Sequence, residues 1–276
     1  MTFTSIFRWS LARNTKFLAI NALLIFLNLL PIYGQKHEVG LALGGTYYLG
    51  DLNPSRQFAL TGISFGANYR FNINSRMALR ANLLYGNIAG DDAVLKFNEN
   101  RNLRFTSQVW EAAALFEINF LPFEAGNANT PASPFLMAGL GVIHFNPKTL
   151  ASVGGVTTQF HLPEFQTENI SYSLFTHSLI FGVGMRYNLV GGFILTFEWS
   201  MRQTGSDYLD DVSGFYPDLS ALSPDDPRRI LSDPSLMNPG ENAGLLRGNP
   251  NTRDWFSFAG FSLSFRIRDT PWWKCP

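Results

Sequence analysis

Two-residue alternation of apolar and polar side chains, repeated over eight stretches, constrains this chain more than any other feature. The last stretch sets Ala259, Phe261, Leu263, Phe265 and Ile267 against Gly260, Ser262, Ser264 and Arg266. Successive side chains of a strand point to opposite faces, so such a segment has one oily side and one polar side. Strands of this kind are read near 37–48, 61–72, 77–88, 104–120, 134–145, 173–188, 193–204 and 254–268. Within each, the charged residues keep to one parity, apart from Arg104 at the start of the fourth. Only 135–145 is ambiguous, because its small residues fall on both sides.

An oily face serves as the core of a soluble sandwich or as the lipid-facing surface of an outer-membrane barrel. The connections separate the two. Residues 72–76 and 188–192 are tight links, whereas 49–60, 89–103, 146–172 and 205–253 are long. Alternating short turns and long loops is the rhythm of a barrel with periplasmic turns, external loops and both termini in the periplasm. The link at 122–133 is longer than that rhythm asks for. The expected fold is therefore all-β: a closed antiparallel transmembrane β-barrel of eight strands with long external loops, residing in the outer membrane. Parity assigns to its lumen Glu38, Glu111, Glu117 and Glu198, facing Arg70, Arg80, Arg186, Arg202 and Arg266. Eight strands enclose a lumen just wide enough for side chains. These charges are therefore expected to pair structurally and to seal the barrel rather than line an open pore.

Composition agrees. Charged residues are 15% of the chain, against roughly 25% in ordinary soluble domains. Arg8, Arg13 and Lys16 precede an apolar run at 17–30, and 31–34 supplies a turn and a small residue. Residues 1–34 read as a cleaved secretory signal peptide, leaving 35–276 as the barrel domain. The single cysteine, Cys275, allows no intramolecular disulfide and lies far from an acylation site. Lys and Arg number 21, as do Asp and Glu. With no basic patch, nothing points to nucleic acid. No glycine-rich phosphate loop joins a strand to a helix, so no nucleotide cofactor is expected.

Candidate chemistry is sparse. His144 and His177, with Ser178 or Ser173 nearby, resemble the serine–histidine pairs of lipid-modifying barrels, but no fixed spacing marks them. The carboxylates of Gly90-Asp91-Asp92 and of 207–211 do not follow a calcium-loop spacing. Tyr47, Tyr48 and Trp110 suit an aromatic girdle, and Trp272-Trp273 an interfacial anchor. The reading is a non-enzyme with no catalytic residue, no metal, no cofactor and no small-molecule substrate. The loop at 205–251 is too long for an idle connector; it caps the barrel, binds a partner or shields the surface.

Several motifs together carry a family resemblance: 37–40 (HEVG), 48–52 (YLGDL), 69–74 (YRFNIN), 77–82 (MALRAN), Tyr85-Gly86, Gly90-Asp91-Asp92, 207–214 (DYLDDVSG), Arg247-Gly248-Asn249 and Asp254-Trp255. In these the chain resembles the PorG-like outer-membrane β-barrel family of the type IX secretion system, over nearly the whole mature length. That resemblance implies an accessory or assembly component of the export machine, docking with the lipoprotein of the periplasmic secretion ring and its associated ring protein. It implies no catalytic residue. The alternative is a free-standing small barrel serving envelope integrity or adhesion through its external loops.

Overall fold

The computed structural model describes residues 37–267; the expected signal peptide, the Trp272-Trp273 pair and Cys275 lie outside them. Among the described residues there are nine strands: β1 (His37–Leu49), β2 (Gly62–Asn72), β3 (Met77–Asp91), β4 (Arg104–Asn119), β5 (Ala132–Val153), β6 (Val156–His161), β7 (Phe175–Asn188), β8 (Phe193–Thr204) and β9 (Trp255–Arg266). Eight of them pair in the order β4-β3-β2-β1-β9-β8-β7-β5, and β5 closes the ring on β4. Every ring pairing is antiparallel, including β1 with β9. This is the expected eight-strand barrel.

The alternation is realised as expected. Leu41, Leu83 and Leu140 point outward and are 72%, 61% and 66% exposed. Residues of the opposite parity, such as Glu38, Arg80, Asn82 and Ser264, are buried in the lumen. In β5, whose parity was ambiguous, the ring partners settle the matter: Leu136, Leu140 and Val142 are exposed, and Phe135, Met137 and Ile143 are buried.

The tight links behave as turns. Asn74 accepts from the backbone N–H of Arg76 and Met77 between β2 and β3. Gly191 (φ 80°) and Gly192 (φ 89°) take left-handed conformations between β7 and β8, which glycine adopts without a steric penalty.

One expectation is corrected. The link at 146–172 is not all loop, because β5 runs on to Val153 and returns as β6 in a hairpin above the ring. Gly154 (φ 57°) and Gly155 (φ 80°) form its two-residue turn, the combination that a type I′ hairpin requires. Three short helices lie in the long loops: α1 (Asp92–Leu95), α2 (Leu162–Phe165) and α3 (Pro227–Ser232).

Candidate functional site

Four layers fill the barrel from one end to the other. At the short-turn end, the link between β4 and β5 folds across the mouth. Phe123 and Ala125 are buried there against Ile194, and the Arg186 guanidinium lies 4.3 Å from the Phe123 ring centroid. Asn188 holds the link in place. Its amide nitrogen donates to the carbonyls of Glu124, Asn127 and Thr130, and its oxygen accepts from the Gly126 N–H. The extra length of this link thus closes the mouth.

Above it sits an ion-pair lattice. Arg70 contacts Glu117 at 2.8 Å and Glu38 at 3.1 Å. Arg80 contacts Glu117 at 3.1 Å and Glu198 at 2.6 Å. Arg186 reaches Glu38 at 2.6 Å. Three guanidinium groups face three carboxylates, all buried, so the lattice is charge-neutral. Arg202 and Glu111 form a separate pair at 3.2 Å. Of the nine lumen charges assigned by parity, eight are brought into these pairs. Arg266 instead donates to the Ala125 carbonyl at the short-turn mouth.

The next layer is apolar and was not foreseen. Leu84, Ile88, Phe105, Val109, Ile143, Phe145, Phe256 and Phe258 occupy lumen positions at the long-loop half and merge with the interior of the loops. Arg202 lies beneath this layer, 5.6 Å from the Phe256 ring centroid.

The fourth layer is a cap knitted from all four long loops. Arg101 pairs with Asp92 at 2.7 Å and donates to the carbonyls of Asp51 and Arg247. Arg247 pairs with Glu168 at 3.0 Å and donates to the carbonyls of Asp211 and Ser232. Asp211 also accepts from Tyr172 and Thr167. The Tyr48 hydroxyl stands between Asp210 at 2.5 Å and Asp254 at 2.7 Å. One phenolic proton cannot serve two carboxylates, so one carboxyl carries its own proton and donates it back.

The electrostatics point the same way. Burial raises Asp210, helped by Asp254 and Asp51, and burial also raises Asp254, helped by Asp207 and Asp51. Burial pushes Asp207 up to about 7, and Asp211 up to about 6 despite the Arg247 guanidinium.

Most motifs that carried the family resemblance meet in this cap. They contribute Tyr48, Asp51, Leu52, Asp92, Asp207, Asp210, Asp211, Arg247 and Asp254 to one interior. The acidic pairs suspected of cation binding each have a protein partner. Asp91 caps α1 by accepting from Ala93 and Val94, and Asp207 accepts from Ser213. Among the described residues, no group of three His, Cys, Asp or Glu side chains is placed to hold a metal ion.

The serine–histidine candidates are not brought together. Ser178 is buried in the lumen, whereas His177 and His144 lie on the outer face, with His144 against the Phe175 ring. Tyr48 is not a girdle residue, because it points inward. Tyr47 points outward but is covered by Phe58, and its hydroxyl bonds to Gln57 and Trp199. Trp110 is exposed on the outer face, as a girdle residue should be.

Comparison with solved structures finds small outer-membrane proteins at low identity. The chain is similar to the Neisserial surface protein NspA (9% identity, 84% of this chain and 97% of that one, TM-score 0.42). It is also similar to OprG from Pseudomonas aeruginosa (10%, 85% and 99%, TM-score 0.42) and to Ail, the attachment invasion locus protein of Yersinia pestis (9%, 84% and 99%, TM-score 0.38). At these scores the likenesses carry no functional argument. No curated protein matches the sequence. The sequence profile described as a domain of unknown function, DUF6089, matches residues 16–224, and the chain belongs to that family.

Proposed function

We propose that this protein is a sealed outer-membrane barrel acting as a membrane-embedded docking element, with its short-turn end in the periplasm and its cap outside. The observation that carries this reading is the combination of an apolar exterior and a filled interior. Large side chains such as Leu41, Phe65, Leu140 and Phe261 are more than half exposed around the ring. A continuous apolar belt of that kind belongs against lipid. The neutral ion lattice, the apolar layer and the two closed mouths argue against transport through the lumen. What remains for function is the surface: the cap on one side, the turns on the other.

The motif resemblance supports a particular role, as an accessory or assembly component of the type IX secretion system that docks with the periplasmic ring lipoprotein and its partner. The test is deletion of the protein in its native host. Cargo bearing C-terminal sorting signals should accumulate in the periplasm, and the ring proteins should co-purify with the barrel in mild detergent. Normal secretion together with purification of the barrel alone would refute the export role. The hydrogen bonds and ion pairs that tie the four long loops into one cap support a second reading, a free-standing barrel for adhesion or envelope integrity. In that case, protease shaving of the external loops abolishes surface binding and leaves secretion intact.

A further inference from the structure

The cap holds a slot that neither role uses. The last pairing of β4 with β5 is Thr106 with Lys148. Beyond it the two chains separate. Residues 101–103 are drawn toward β3, because Arg101 pairs with Asp92 and the Leu103 N–H donates to Asp92. Strand β5 continues to Val153 without them, bonded only to β6.

The tight Gly154-Gly155 turn sets the hydrogen-bonding phase of that hairpin. Val153 with Val156 and Ala151 with Thr158 are the pairs that exchange backbone bonds, so the N–H and C=O groups of Leu150 and Ser152 point away from β6. They face the lane that β4 has left. Among the described residues, none of these groups has a backbone partner on that side, and Leu150 and Ser152 are exposed. An unpaired edge of this kind is a template for a further strand.

Beside the edge lies a cavity of about 140 Å³. Leu52, Leu103, Leu162, Val212, Leu231 and Pro234 give it apolar walls. Six polar side chains also line it: Asn102 is engaged with the Pro234 carbonyl, Asp210 with Tyr48 and Arg247 with Glu168, and Arg104, Thr149 and Ser152 complete the lining. A cavity of about 150 Å³ accepts a benzene-sized group, so this one suits a single leucine or phenylalanine side chain. Backbone pairing along an edge, with one side chain seated in a pocket, is the chemistry of strand addition.

We propose that this slot binds an extended peptide segment of a partner protein, which continues the β4 lane along Leu150 and Ser152 and buries one bulky apolar side chain in the cavity. The site lies wholly within the cap and does not depend on the export role.

The test uses the whole barrel in lipid nanodiscs and a blocked pentapeptide, acetyl-Thr-Thr-Leu-Thr-Thr-amide, titrated while the Leu150 and Ser152 amide resonances are followed. Saturable binding at or below about 1 mM is expected. Replacing the central leucine with aspartate, or methylating the nitrogen of a flanking threonine, which faces Leu150 or Ser152, should abolish saturation. Ser152→Pro removes a donor aimed at the slot without removing a β5–β6 bond. It should weaken binding about fivefold, the equivalent of one hydrogen bond. Leu231→Phe, which fills the cavity and leaves the edge intact, should weaken it as well, and it decides the matter if Ser152→Pro melts the hairpin. Failure of the leucine peptide to saturate, or equal binding by the leucine and aspartate peptides, would overturn the proposal. So would binding indifferent to Leu231→Phe.

Discussion

Glu117 is where the lumen lattice is most exposed to a single change. Its carboxylate accepts from Arg70 Nε at 2.8 Å and Nη2 at 3.0 Å, and contacts Arg80 at 3.1 Å. Glu117→Gln keeps the shape and one acceptor but removes the charge, leaving two carboxylates against three guanidinium groups. Arg70 retains Glu38 and Arg80 retains Glu198, so neither cation is orphaned outright. Breaking a buried ion pair costs about 3–5 kcal/mol; the retained acceptor and second partners place this variant near the lower bound, about 3 kcal/mol. That is roughly a hundredfold in the unfolding equilibrium.

Glu111→Gln offers a calibrated contrast. Arg202 would lose its one carboxylate partner among the described residues and keep only the Ser200 carbonyl and hydroxyl, so the full cost of stranding a buried charge applies, about 3–5 kcal/mol. Arg70→Met combined with Glu117→Gln restores neutrality. It should be less destabilised than the sum of the single changes by about 2 kcal/mol. Equilibrium urea unfolding in phospholipid vesicles, read by tryptophan fluorescence, measures the wild type and the four variants, Arg70→Met alone included. If Glu117→Gln is neutral, or if the double variant is additive, the lattice is not a coupled network and the reasoning fails.

Three further outcomes follow from the same geometry. In the cap, Asp207, Asp210, Asp211 and Asp254 titrate above the ordinary aspartate value of about 3.9, so the closed cap binds more protons than the opened one. Its stability is therefore full near pH 4 and falls as pH rises through about 6 and 7. Hydrogen exchange of 205–254, corrected for intrinsic rates, should show less protection at pH 8 than at pH 5, and Asp254→Asn should flatten the slope; the opposite slope would count against the shared proton. Leu41→Arg, on the exposed outer face, should cost about 2–4 kcal/mol in vesicles, and no cost would remove that face from lipid. Phe123→Ala should cost about 3 kcal/mol or more, from lost burial and the lost Arg186 contact; a neutral result would make the folded link decorative.

The ring was legible because period-two alternation and one-sided charge agree over most strands. The outward and inward residues of 135–145 could not be told apart, since Leu136 and Leu140 are as apolar as Phe135 and Met137, and only the neighbouring strands separate them. The β5–β6 hairpin carries a readable signal, glycine–glycine between Val153 and Val156. Pro147 speaks against a strand there, yet it is tolerated because it falls between the last pairing with β7 at His144 and the first with β6 at Lys148, where no ladder bond is lost. The lumen charges were readable from parity, but not the apolar layer, since Phe256 and Phe258 share their parity with serines lower in β9. The cap was least legible. Tyr48 and Asp210 are 162 residues apart, and one sequence holds no trace of such a contact.

The central claim is a barrel that is embedded in lipid and sealed. Conductance in planar bilayers tests it most directly, with insertion verified by the gel shift between boiled and unboiled protein. The account predicts folded, inserted protein with no steady ion current, because a neutral lattice, an apolar layer and two closed mouths lie in series along the lumen. Reproducible ohmic steps from the inserted wild-type protein would contradict it.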